Sequence, residues 1–120
     1  MKNKVLDVKP FIGSKDYELS RQFYLAMGWT LGFDTGEVAE LQLGEYRFIL
    51  QKWYQKEWCD NLMLHIAVED AQYWYEHAMQ VLKGGSYDVA KVREPSKQDS
   101  GEFVTFVWDP AGVLLHFAQP

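Results

Sequence analysis

The chain contains one cysteine, Cys59, in 120 residues. A lone thiol cannot close an internal disulfide, so the core must hold the fold, and a reducing, cytoplasmic compartment is expected. No apolar run approaches the roughly 20 residues that span a bilayer. None follows the short basic start Met1-Lys2-Asn3-Lys4, so neither a membrane anchor nor a secretory signal is expected. Positive charge is scarce as well. With 12 Lys and Arg against 17 Asp and Glu the net charge is −5, and the cations are scattered, which argues against a nucleic-acid partner. A phosphate-cradling loop is also missing: Gly84-Gly85-Ser86 follows a helical stretch instead of opening one.

What the chain does have is apolar and aromatic bulk. Hydrophobic residues make up 48% and aromatic ones 16%, enough for one domain over 1–120 with a packed interior or an apolar pocket. The chain also repeats. Phe11-Ile12-Gly13-Ser14-Lys15-Asp16 leads into a helical pattern, and so does His65-Ile66-Ala67-Val68-Glu69-Asp70, with 54 residues from Ile12 to Ile66. Each copy closes on an apolar alternating run, Tyr46–Gln51 and Gly112–Phe117. Module one covers about 1–53, a linker 54–61, and module two about 62–120.

Within module one, Val5–Gly13 reads as a strand and Asp16 as the N-cap of a helix whose apolar stripe is Leu19, Phe23, Ala26 and Met27. Gly28 ends that helix. Trp29–Asp34, Glu37–Leu43 and Tyr46–Trp53 follow as strands. Module two repeats the order: strand Leu62–Val68, N-cap Asp70, a helix with Trp74, Ala78, Val81 and Leu82 inward, then strands Tyr87–Val92, Glu102–Trp108 and Val113–Ala118. Glu94–Gly101 reads as a flexible loop and carries most of the extra length of the second copy. The expected class is α+β. Two tandem βαβββ modules would form a half-open mixed barrel or curved sheet, with helices outside and one sheet face left free.

The segments Asp16…Arg21-Gln22-Phe23-Tyr24…Met27-Gly28-Trp29 and Asp109-Pro110-Ala111-Gly112-Val113-Leu114-Leu115-His116-Phe117-Ala118-Gln119 resemble the vicinal oxygen chelate superfamily. That superfamily includes glyoxalases, bleomycin-resistance proteins and extradiol dioxygenases. Together with the repeat, the resemblance covers essentially the whole chain, and it implies a homodimer. In metal-dependent members four ligands sit on the first and last strands of the modules, and the resemblance carries them onto Lys9, Gln51, Met63 and His116. The repeat pairs Lys9 with Met63 at 54 residues and Gln51 with His116 at 65.

As a ligand set these four are poor. Protonated lysine has no lone pair to give, methionine is a soft thioether, and glutamine seldom serves as a primary ligand. His65 shares a strand face with Met63, so His65 and His116 are the weak metal candidates, with Glu40 a conceivable third group. The same residues suit a pocket. Lys9, Phe11, Ile49, Gln51, Trp53, Met63, His65, Leu114 and His116 are the expected lining, apolar and aromatic with a few polar groups. Cys59, between Trp58 and Asp60, has no base beside it and reads as a buried apolar residue, not a nucleophile. Glu37 and Glu40 point to opposite faces of their strand and cannot pair as acid and base. His77 reads as an edge residue of the helix–sheet contact.

The leading expectation is therefore a metal-independent small-molecule binder, closest in character to the bleomycin-resistance-like members, with no cofactor. It would hold a flat or cationic organic ligand in an aromatic groove oriented by His65, His116 and Gln51. The alternatives are a metal-dependent lyase, isomerase or dioxygenase resembling glyoxalase I, and a structural or regulatory dimer module with an occluded groove.

Overall fold

A computed structural model describes residues 3–120. Its elements are β1 (Phe11–Gly13), α1 (Tyr17–Met27), β2 (Thr30–Asp34), β3 (Val38–Leu43), β4 (Tyr46–Gln51), α2 (Lys56–Asn61), β5 (Met63–Ala67), α3 (Ala71–Lys83), β6 (Lys91–Lys97), β7 (Phe103–Trp108) and β8 (Leu114–Gln119). They build two four-stranded sheets of the same design, β1-β4-β3-β2 and β5-β8-β7-β6. In each, the first strand runs parallel to the last and the other pairings are antiparallel. The expected α+β tandem βαβββ architecture is the one found, without closure into a barrel. Among the described residues, no helix is long and apolar enough to cross a membrane.

The local signals for helix boundaries work as read. Asp16 and Asp70 both have extended backbones, and each carboxylate accepts the amide three residues on, from Leu19 and Tyr73. Gly28 ends α1 at φ +121, where a side chain would be strained. The buried stripe of α1 differs from the expected one: it is Tyr17, Ser20, Phe23, Tyr24 and Met27, while Ala26 is exposed. The inward arc of α1 is turned toward Tyr24 because that side chain has a partner in the other module.

Three other expectations are corrected. The first strand is short, because Val5, Leu6 and Val8 are 71, 91 and 78% exposed and pairing starts only after Pro10, whose carbonyl accepts from Ile49. The presumed linker contains the short helix α2, which buries Cys59 against Gly13. The sixth strand starts four residues late. Tyr87 packs its ring on Phe23 at 5.5 Å, its carbonyl accepts from Ala90, and Asp88 takes a φ of +58, so 87–90 form a turn. β6 then runs through Pro95 into part of the presumed loop. An edge strand with a register shift between Arg93 and Ser96 tolerates a residue that lacks an N–H.

One core joins the halves. Ile12, Ala39, Leu41, Phe48 and Leu50 from the first sheet and Val107, Leu115 and Phe117 from the second are buried on the helix side. Trp29 and Trp74 both reach Phe117, edge-on at 6.4 Å and stacked at 4.5 Å. His77 Nε2 lies 3.1 Å from the carbonyls of both Ala26 and Met27 at the end of α1, so it donates there and ties α3 to α1. Tyr24 in α1 donates to Asp109 Oδ2 at 2.6 Å. The Phe23-Tyr24 pair and the Asp109-Pro110-Ala111-Gly112 turn, which carried the family resemblance, thus meet each other. Asp109 also accepts the amides of Ala111 and Val113 through Oδ1, so its turn is fixed from within. Burial raises its carboxyl pKa to about 6 against these donors, and the same burial pushes the Tyr24 hydroxyl well above its ordinary value.

Candidate functional site

Alternation along the strands decides what each sheet shows on the face away from the helices. On the first sheet Phe11, Ile49 and Glu40 stand in one cross-strand row. Lys9 reaches Glu40 at 2.6 Å, and the Glu40 carboxylate lies so close over Gly32 that a Cβ there would collide with it. Arg47 on the same strand face as Ile49 is paired with Asp7 at 3.2 Å. Phe11, Gln51 and Trp53 line a small hollow of about 160 Å³ closed by Trp58 and Cys59, where the Trp53 and Trp58 rings meet edge-on at 5.0 Å. Burial raises the Cys59 thiol to about 11, which leaves it inert as a nucleophile.

The second sheet carries two complete rows. Arg93, Phe106, His116 and His65 are register partners across β6, β7, β8 and β5, and Lys91, Trp108, Leu114 and Met63 form the next row. The His65 and His116 rings are 5.8 Å apart, and Phe106 stands edge-on to His116 at 5.0 Å. His65 Nε2 is 3.1 Å from Glu102 Oε2. His116 Nε2 is buried without a hydrogen-bond partner. Desolvation first, and then the neighbouring His65, lower the His116 pKa, so its imidazole is neutral at pH 7.

Between the halves lies a cleft of about 410 Å³. Trp29, Leu43 and Phe48 form one wall and Leu64 and Ile66 the other, with Tyr46, Arg47 and His65 as its polar side chains. Of the nine expected lining residues only His65 reaches this cleft. Met63, Leu114 and His116 share the second sheet with it, whereas Lys9, Phe11, Ile49, Gln51 and Trp53 belong to the first half. The polar contacts of Lys9 and of His65 stay within their own halves.

Residues in the metal positions do not fit a metal. Lys9 is held in an ion pair, and Glu40, the conceivable third ligand beside His65 and His116, is the acid that holds it. The carboxylate beside His65 is Glu102 instead. Among the described residues no three His, Cys, Asp or Glu side chains come together at metal-binding spacing. Register also revises the repeat. Phe11 and His65 are 54 residues apart, and Ile49 faces Phe11 as His116 faces His65, so Ile49 is the counterpart of His116. Gln51 is therefore not the equivalent of His116. Arg93, Lys91, Phe106, Trp108 and Glu102 were absent from the expected site. The period-two spacing of Lys91 with Arg93 and of Phe106 with Trp108 was the available signal.

Solved structures resemble this arrangement throughout its length. The bleomycin-binding protein from bleomycin-producing Streptomyces verticillus, complexed with copper(II)-bleomycin, superimposes with a TM-score of 0.79 at 20% identity, over 98% of each chain. A bleomycin resistance determinant encoded on the transposon Tn5 gives 0.78 at 20% identity, over 96% of this chain and 98% of that one. Lactoylglutathione lyase from Agrobacterium tumefaciens gives 0.70 at 12% identity, over 98% and 95%. This is the glyoxalase/bleomycin-resistance fold. No protein-family model matches the sequence, and no curated protein matches it. Within this fold, the open face of the second sheet and the cleft beside it are the candidate site, with His65 common to both.

Proposed function

We propose that the chain is a metal-independent, cytoplasmic small-molecule-binding protein that works as a homodimer. One observation carries the binding reading: a 410 Å³ cleft with mostly apolar walls and few polar groups, Arg47 and His65 among them. That volume and composition are those of pockets that bury small organic ligands. The bleomycin-binding neighbours, complexed with bleomycin and with copper(II)-bleomycin, support the same reading through their shared fold. Poor donors in the metal positions support metal independence. The exposed apolar segment Val5, Leu6 and Val8, with Phe11 at 55% and Met63 at 59% exposure, supports a second copy as cover.

A thermal-shift panel of small aromatic compounds tests the binding reading, since a ligand that binds only the native state raises its stability. At least one compound raises the midpoint, and His65→Ala weakens that shift. If no compound of any charge shifts it, the occluded structural or regulatory module replaces this reading. Stoichiometric divalent metal in protein purified without chelator, lost in His116→Ala, would overturn metal independence. Sedimentation velocity reads the assembly: Leu6→Asp converts dimer to monomer, and a wild-type monomer would refute it.

One observation favours a second reading. Glu102 orients His65 next to a neutral His116, a pairing suited to proton transfer. This is the acid–base form of the lyase or isomerase alternative. Turnover of a carbonyl substrate that His65→Ala and His116→Ala both abolish would select it.

A further inference from the structure

Among the described residues, six of the chain's twelve Lys and Arg residues are answered by acids. Lys9, Lys15, Arg21, Arg47, Lys52 and Lys56 each lie within ion-pair distance of a carboxylate. Lys91 and Arg93 do not, among the described residues. Instead Lys91 Nζ sits 4.6 Å from the Trp108 ring centre, and the Arg93 guanidinium lies 5.3 Å from Trp108 and 5.4 Å from Phe106. They project on the open face, two residues apart on β6, at the head of the two rows.

Those contacts have two consequences. The rings that would attract a ligand cation are already faced by the chain's own cations, so a cationic ligand would meet Lys91 and Arg93 first. Neither cation is neutralised by a carboxylate, and both keep N–H donors for a planar or tetrahedral anion. The acid on this face is Glu102, held by His65 and by Ser100 at 3.2 Å. Its backbone lies at the start of β7 beside the end of β6, and its carboxylate is turned away across β8 to His65 on β5. A ligand's negative end is thereby directed to β6. Between the two ends lie Leu114, Met63 and the His116 ring, whose buried Nε2 has no partner.

We propose that the open face of the second sheet selects a small aromatic anion. Its acid group is bound by Arg93 and Lys91, and its ring lies over Leu114 and Met63 beside the His116 ring. This rests on the small-molecule reading above and names the ligand's charge class and its orientation on the sheet.

Calorimetric titration with three probes of one shape tests it: 2-naphthoate, 2-naphthamide and 2-naphthylmethylammonium. The wild type binds 2-naphthoate on the order of tenfold more tightly than the amide, and the ammonium most weakly. The double variant Lys91→Gln/Arg93→Gln, checked for native circular dichroism, closes the gap between acid and amide without abolishing amide binding. Arg93→Lys, which keeps the charge, retains most of it. Equal binding of the three probes, preference for the ammonium, or a gap that survives the double variant overturns the charge class and leaves the small-molecule reading standing. Failure of all three to bind sinks both. A double variant that changes the oligomeric state while the gap persists would assign the face to a second copy of the chain.

Discussion

The first half of the molecule answers its open-face cations with acids, Lys9 with Glu40 and Arg47 with Asp7, whereas the second half lays Lys91 and Arg93 against rings. Both halves share strand order, pairing sense and helix capping. The difference teaches which parts of a duplicated unit are constrained. Positions facing the helices must fill one common core, so they stay apolar in both copies. N-caps must satisfy free amides, so Asp16 and Asp70 agree. Open-face positions owe nothing to the core, and there one copy is neutralised while the other keeps charge, imidazole and ring in register.

The largest test of this comparison strikes the bond that joins the halves. Asp109→Ala removes the acceptor of the Tyr24 hydroxyl and of two buried amides, and should cost about 3 kcal/mol or more in urea unfolding. Tyr24→Phe removes one of those three donors and should cost about 1–3 kcal/mol. Its loss should also depend on pH. Burial already raises Asp109 to about 6, so the stability contributed by its neutral form is lost as pH rises through that value. Without the Tyr24 donor the carboxylate form is disfavoured further, and the variant should lose more at pH 8 than at pH 5. An equal loss at both would mean that Tyr24 serves packing alone.

A smaller effect is expected where the first face is neutralised. Lys9→Met leaves Glu40, only 15% exposed in its side chain, without its cation and should cost about 1–2 kcal/mol. Adding Glu40→Gln should restore most of that loss. If the double variant is no better than the single one, the pair does not hold the first face, and the contrast between the halves is weaker than drawn.

The sequence reveals what is set locally and hides what is set by register. Asp16, Gly28 and Asp70 act within one turn of chain, so their roles follow from residue type. The order of elements followed from hydrophobic period. The start of β6 did not, because Tyr87 is used to pack on Phe23 and the strand passes Pro95 only by shifting register at an edge. The site depends on register in the same way. Sequence offers Glu40 as a partner for the histidines, whereas the placement of β5 and β7 on either side of β8 makes Glu102 the partner of His65. The row of Arg93, Phe106, His116 and His65 draws on four strands, and no spacing within a single segment encodes it. Pairing Gln51 with His116 failed for a similar reason. The offset between last strands depends on turn lengths, while the one between first strands and N-caps does not.

The smallest effect lies in the second face and is a pH dependence. His116 is held below its ordinary pKa by burial and by His65, so its charged form is disfavoured in the folded protein. Its contribution is therefore present above the unfolded value of about 6.5 and is lost as pH falls through the lower folded value. Asp109 works in the opposite sense over part of that range, because its raised pKa favours the fold as pH falls. The wild-type profile between pH 7.5 and 5 is thus a sum of opposed slopes, and only a difference isolates His116. His116→Gln removes the titration and keeps a polar side chain at the position. The wild type should lose more stability than His116→Gln on going from pH 7.5 to 5, with the gap opening below about 6.5. Adding His65→Gln to the wild type should narrow the gap, since it removes the neighbouring imidazole that lowers His116. Parallel profiles for wild type and His116→Gln would mean that the second face does not single out the neutral imidazole, and the contrast with the charge-paired first face would then rest on Lys91 and Arg93 alone.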